Sequence, residues 1–441
     1  MKRTRGSPAQ KKRAKKARVD VEKRQNDHEN KTKNRTTSDA SIPDIISWQE
    51  NTVASLCLRL NEDLKSAGFP KSTQESLHIL RHYFTRHQQL NSENWKNRDV
   101  IDSLVTTFIF NTHRTAKPDR AAITTLHILQ MICSCLNDES DENVRVRVFN
   151  CLFPPNISGD MLKLEAQLVS LAISCGLSRV LDVVAWCMLE EHAAHTGRVI
   201  ITDFCCLLPS MLPNLQNVLK SSPSMAARLL TSFTYIFDIT SATTRGELLP
   251  LSLLSVVTEW VHSQPMLPYD RVSTPSCSLF HPVLSHSTSS SLPVTGLIVW
   301  TVLGPLSHLV GVRVDASWRK HDVKRCGLFS RLHTSILRGA VEYEHRGMKA
   351  DNVWLRKHVT LHTSHVIKIA ERLAMAAAAA TSEDGELIQL AVDRFAQAIQ
   401  LLQSCQLLDI KSVISDLNQH VDKIPSNRLL HIVLSHWTKQ Q

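Results

Sequence analysis

The chain has 441 residues, 43% hydrophobic and 21% charged, with only 13 glycines and a formal net charge of +10. That length holds about three ordinary domains or one extended repeat structure, and the composition is that of a globular chain. Scarce glycine, with Asp384-Gly385 the one hairpin-type dipeptide, argues against a hairpin-rich fold and leaves little backbone able to wrap phosphates.

Residues 1–40 carry fourteen Lys/Arg against five Asp/Glu, a net +9 of the total +10, so the remainder is close to neutral at +1. With few apolar side chains and a high net charge, this tail cannot offset the entropy of ordering and is expected to be disordered. Lys2-Arg3, Lys11-Lys12-Arg13 and Lys15-Lys16 are predicted to act as a nuclear localisation signal, since extended Lys and Arg chains each meet a carboxylate of an import receptor; non-specific nucleic-acid attraction is the alternative. No apolar core of a secretory signal follows these charges.

From residue 41 onward apolar residues recur at helical spacing. Val53, Leu56, Leu60 and Leu64 share one stripe, Val100, Leu104 and Phe108 another, and "ITTLHILQMICSCL" is apolar over more than half its circumference. Asp160 and Asp203 are placed near helix starts, and Ser222-Pro223 reads as a cap followed by a first-turn proline. The pattern predicts roughly fifteen helices and almost no strand. No period of 34 or 40 residues repeats cleanly, yet many helix hairpins in chain order predict an all-α, irregular α-solenoid of HEAT or armadillo type behind the disordered basic tail.

Three breaks divide the helices: a Pro/Ser-rich loop at 263–293, a charged insertion at 312–326, and "ATSEDGE" at 380–386, which ends an alanine-rich helix. The expected organisation is therefore a tail (1–40), an N-terminal helical solenoid (41–262), the loop, and a C-terminal helical region (294–441). "GLIVWTVLGPLSHLVGV" has the apolarity of a membrane span, but Gly304-Pro305 interrupts it and His308 falls in its second half. A buried pair of core helices is expected there, and no membrane association.

The eleven cysteines include no C-x-x-C pair, and nearly all lie in apolar helical segments. They read as small hydrophobes in a reducing compartment. In "DFCCLLP" (203–209), neighbouring helical residues point about 100° apart, so Cys205 and Cys206 cannot easily share a metal, and a disulfide between neighbours would distort the backbone. With Phe204 and Leu207 they are assigned to the core, as is Trp300. His358, His362 and His365 align on one helix face, but no carboxylate or cysteine completes a zinc site. There is no nucleophile elbow, P-loop, dinucleotide fingerprint or H-E-x-x-H. No enzyme activity, metal or cofactor is expected.

"DFCCLLPSMLPNLQNVLKSSPSMAARLLTSFTYIFDIT", "VRVFNCLFPP", "LVSLAISCGLSRVLDVVAWCML", "GLIVWTVLGPL", "SRLHTSIL" and "LAVDRFAQAIQLLQS" resemble, in the same order, segments of the Integrator complex subunit 15 family. The basic tail and the short insertion after Val312 depart from that family and inherit no role from it. The resemblance implies a nuclear, non-catalytic helical subunit of an assembly that attaches to RNA polymerase II, regulates transcription and processes small nuclear RNA 3′ ends. It implies as partners the module of subunits 10, 13 and 14 and the core of the assembly. Interface energy concentrates in aromatic and arginine anchors, so Trp318, Arg319 and Lys320 in the insertion, and Asp393 and Arg394 in "AVDRFAQAIQ", are the candidate partner-binding residues. For the last two an internal role is an equal alternative.

Overall fold

The structure is a computed structural model. It describes residues from Thr125 to Thr438, apart from 241–247, 270–292, 312–321, 346–351 and a few isolated positions. The basic tail, and with it Lys2, Arg3, Lys11, Lys12, Arg13, Lys15 and Lys16, lies outside the described residues.

Helical residues Leu129, Ile132, Cys133 and Leu136 open the described part and are all buried, as the i, i+3, i+4, i+7 spacing of one helix face requires. Among the described residues thirteen α-helices follow: α1 (Glu142–Leu152), α2 (Asp160–Cys175), α3 (Ser178–Cys187), α4 (Glu190–Ile201), α5 (Leu212–Ser221), α6 (Pro223–Ile236), α7 (Leu251–Ser263), α8 (Pro293–Leu303), α9 (Val323–His345), α10 (Asn352–Ala379), α11 (Gly385–Ser404), α12 (Ile414–Val421) and α13 (Arg428–Thr438). Among the described residues there is no strand; the fold is all-α.

Local chemistry sets the ends of these helices. Helix α1 starts where the Asp141 carboxylate accepts from the Asn143 amide at 2.8 Å. Helix α2 ends at Gly176, φ +66°, where the Leu177 amide reaches the Ala172 carbonyl (2.9 Å) and the Gly176 amide reaches that of Ile173 (3.2 Å). This six-to-one and five-to-two pairing needs a left-handed residue, which glycine supplies without strain. Ser222 caps α6 by accepting from the Met225 amide at 3.2 Å, and Pro223 fills the first helical position. Asp160 stands in the first turn of α2, and Asp203 in the first turn of a π-helical segment, Thr202–Leu207, that continues directly from α4.

The helices pack in chain order. Helix α2 lies against α3, α4 and α5; α6 against α3, α4, α5 and α8; α9 against α7, α8 and α11; α11 against α8, α9, α10 and α13. No substantial contact joins described helices more than three places apart in this numbering. Helices on either side of the 270–292 segment pack directly, α7 on α9 and α6 on α8. At Gly339, α9 closely approaches the chain that follows α7: a Cβ there would fall on the Pro265 carbonyl, so the contact requires glycine.

Two tryptophans anchor successive layers. Trp260 on α7 donates its indole N–H to the Gln216 carbonyl of α5 (2.9 Å), and Trp300 on α8 donates to the Phe237 carbonyl after α6 (2.9 Å). Each is essentially inaccessible and lies beside a phenylalanine, Phe233 and Phe237 respectively, at 6.4 Å between ring centres. A buried indole needs such a partner for its N–H, and here the bond also fixes the helix spacing.

Helix α8 is buried all round: Val294, Leu297, Ile298, Val299, Trp300 and Val302 are each no more than 3% exposed, as expected for an apolar helix with no polar face. The expected helix pair is half realised. After Leu303 the chain passes through successive turns to Gly311 rather than a second helix, because Gly304-Pro305 breaks the backbone ladder. Among the described residues no single helix is long and apolar enough to cross a membrane.

Candidate interaction surface

The segment following α4 is where an apolar sequence meets solvent. The ladder widens over Thr202–Leu207 into a π-helical turn, closed by the Leu208 amide on the Asp203 carbonyl, five residues back, at 2.7 Å. The run Glu190–Leu207 is then bent 108° from Pro209–Ser221. Leu208 leaves helical geometry at φ −128°, ψ 61°, as the residue before a proline is disfavoured in the α region. A 3-10 turn, Pro209–Met211, leads into α5.

Extra-wide turns reorient side chains, and this one corrects the core assignment. Phe204 is buried at 2% exposure, as expected. Cys205 is half-buried, its thiol pushed up by burial and partly brought back by a hydrogen bond with Ser252 of α7. Cys206 and Leu207 lie on the surface, Leu207 at 67% exposure and Leu208 at 54%. The π turn and the residue that caps it leave Cys206, Leu207 and Leu208 outside in succession. Asp203 anchors its base by accepting from Ser170 Oγ of α2 at 2.6 Å.

Sequence reading missed Leu208, half-exposed Met211 and Leu212, and exposed Pro209 and Pro213 as one surface. The available signal was the absence of any charged side chain across the sixteen residues from Phe204 to Leu219, since an ordinary exposed helix carries charges on its outer face.

The other candidates divide. Trp318, Arg319 and Lys320 lie outside the described residues. Arg394 is buried at 3% exposure, donating to the Thr301 carbonyl (2.8 Å) and to Ser330 Oγ (2.6 Å). Asp393 beside it accepts from Asn427 Nδ2, while Asn427 caps α13 through the Leu430 amide (2.9 Å). The expectation that Arg394 meets a partner is therefore corrected, and Asp393 is held by an internal bond: the pair ties α11 to α8, α9 and α13. The apolar arc of α11 is wide enough to carry its arginine inward, where backbone and hydroxyl acceptors receive it. Trp300 is in the core as expected.

The interior polar groups build joints. His333 on α9 places Nε2 2.9 Å from Gln397 Oε1 and Nδ1 3.4 Å from Thr301 Oγ1. Burial lowers its pKa to about 4, with the Arg394 charge adding to the effect and the Gln397 bond opposing it. His308 Nε2 lies 3.1 Å from the buried Asp384 carboxylate, which also accepts from Thr381 N and Oγ1 in the turn between α10 and α11. His192 on α4 stands 3.2 Å from Glu165 on α2. Burial drives the Cys133 thiol up to about 12 and that of Cys405 to about 11, away from the thiolate that nucleophilic chemistry needs. Among the described residues no group of three His, Cys, Asp or Glu side chains could hold a metal ion. His365 is described there, while the side chains of His358 and His362 are not.

A profile of the family described as Integrator complex subunit 15 matches residues 59–426. Integrator complex subunit 15 of Mus musculus is 27% identical over 356 residues, covering 75% of this chain and 77% of the mouse protein. The Danio rerio protein of that name is 27% identical over 357 residues (75% and 71%), and the Homo sapiens protein 26% over 357 residues (75% and 77%). These names describe a subunit of a complex, and no catalytic family is indicated.

Proposed function

This chain belongs to the Integrator complex subunit 15 family, and from that premise we propose that it is a non-catalytic scaffold subunit of a nuclear Integrator assembly. In this reading it links the module of subunits 10, 13 and 14 to the rest of the assembly, in RNA polymerase II transcription regulation and small nuclear RNA 3′-end processing. The match over 59–426 carries the proposal, because it spans the described helices almost entire. Packing of helices on near neighbours supports the reading of an irregular α-solenoid, an architecture that can hold several partners at once. The polar joints bind the helices to each other and leave the outer faces for those partners. The tail, with Lys2, Arg3, Lys11, Lys12, Arg13, Lys15 and Lys16, serves nuclear import, and Trp318, Arg319 and Lys320 remain proposed contacts.

Affinity purification of the tagged full chain from nuclear extract tests this reading. Recovery of Integrator subunits, including 10, 13 and 14, is the expected result; a preparation containing none of them would sink it. The net +9 of residues 1–40 supports a second reading, nucleic-acid binding through the tail. Such binding falls steeply with salt and disappears when residues 1–40 are removed, whereas scaffold contacts survive that deletion.

A further inference from the structure

We propose that the knuckle formed by Cys206, Leu207 and Leu208 is a docking surface that seats in an uncharged, apolar groove on another subunit of the same assembly. This deepens the scaffold reading and rests on it. Other exposed large apolar side chains among the described residues, such as Tyr235, Met375 and Ile432, have no such neighbour in sequence, whereas Leu207 and Leu208 are adjacent and project together from a 108° bend. Scattered apolar side chains are ordinary on a surface; contiguous ones mark contact sites.

The knuckle is held in shape before any partner arrives. Phe204 is buried beneath it, Asp203 is fixed by Ser170, and the Leu208 amide closes the turn. Docking such a surface costs little ordering entropy. Wide π turns cost helix geometry and recur at functional sites, and this one brings two leucines to the surface.

The surroundings select the occupant. Flanking the knuckle in sequence, the exposed polar side chains Thr202, Ser210, Gln216 and Asn217 are neutral, and the one carboxylate, Asp203, is half-buried and engaged by Ser170, so a charged groove would lose hydration with little to meet; an apolar core with a neutral polar rim matches a protein groove. A lipid surface would call for a basic face beside the apolar one, and between Arg198 and Lys220 there is no cation. A second copy of this chain would have to present a self-complementary patch across a two-fold axis, and a projecting knuckle does not complement itself.

Two measurements on the full-length chain test the proposal. In the first, L207E/L208E is compared with wild type by affinity purification from nuclear extract, with L390E as a control on the exposed face of α11 and circular dichroism verifying folding. The double variant should lose at least one Integrator subunit by tenfold or more, while L390E retains wild-type recovery. Undiminished recovery of every subunit by the folded double variant would overturn the docking proposal alone. A wild-type chain that recovers no Integrator subunit would overturn the functional reading and the docking proposal with it. In the second, Cys206 is alkylated with iodoacetamide and its peptide quantified. Rapid labelling in the free chain and at least tenfold slower labelling in the purified complex are expected. Equal rates in the two states, or a free chain already protected at Cys206, would reject the groove as occupant, as would leucine-dependent dimerisation or vesicle binding that accounts for all the protection.

Discussion

Arg394 on α11 donates through Nη1 to the carbonyl of Thr301 on α8, 2.8 Å away and 93 residues earlier in the chain. Its Nη2 reaches Ser330 Oγ of α9 at 2.6 Å, so one guanidinium joins three helices at a point where its charge is buried.

Arg394→Ala should destabilise the fold by about 2–4 kcal/mol, since it strands a buried carbonyl and opens a cavity. Arg394→Met should cost clearly less, because it keeps the volume and removes a buried charge. Urea unfolding midpoints measure both; equal losses would show that the hydrogen bonds alone matter.

Acid should loosen the same joint. The folded-state pKa of His333, about 4, lies below its ordinary 6.5, so the unfolded chain takes up the proton first. The stability this group contributes is complete above pH 6.5 and is lost as pH falls from 6.5 towards 4. At pH 4.5 the loss is on the order of 2–3 kcal/mol. His333→Asn should flatten the decline between pH 7 and 4.5, measured as the difference between variant and wild type.

Ser222→Ala should cost about 1–2 kcal/mol. The residue is fully buried, accepts from the Met225 amide, and donates to Asp182 Oδ1 at 2.5 Å. Burial already raises the Asp182 pKa, and the Ser222 bond opposes that rise, so the variant should raise it further, visible by NMR titration of the carboxylate.

Gly339→Ala should cost about 1–3 kcal/mol through overpacking, because the Pro265 carbonyl cannot retreat as a flexible side chain would. Gly327→Ala, at an open position on the same helix, should leave the thermal midpoint unchanged or raise it, since alanine favours the helix.

The helices were legible from sequence because their apolar positions repeat at one period, and Ser222-Pro223 announced its own boundary. The fate of Arg394 was not, since an arginine at the edge of an apolar arc looks the same whether its acceptor is a neighbouring carbonyl or a partner. The exterior position of Cys206 and Leu207 was hidden for another reason. A single widened turn shifts the phase of every residue after it, and local composition does not encode where the ladder slips. The break after Leu303 was readable from Gly304-Pro305, but not that turns would replace the second helix.

Substantial contacts that reach no further than three helices along the described chain also bear on how the molecule comes into being. Each layer can close while the next is still being synthesised, since loop closure is short at every step. Trp260 finds its carbonyl on a helix already made, and Trp300 finds its own on the residue that ends α6. Among the described residues no later helix covers Leu207 and Leu208, so a newly made chain would carry this greasy projection until its assembly partner arrives, and an unpartnered surplus of the protein would be the pool most exposed to aggregation and turnover.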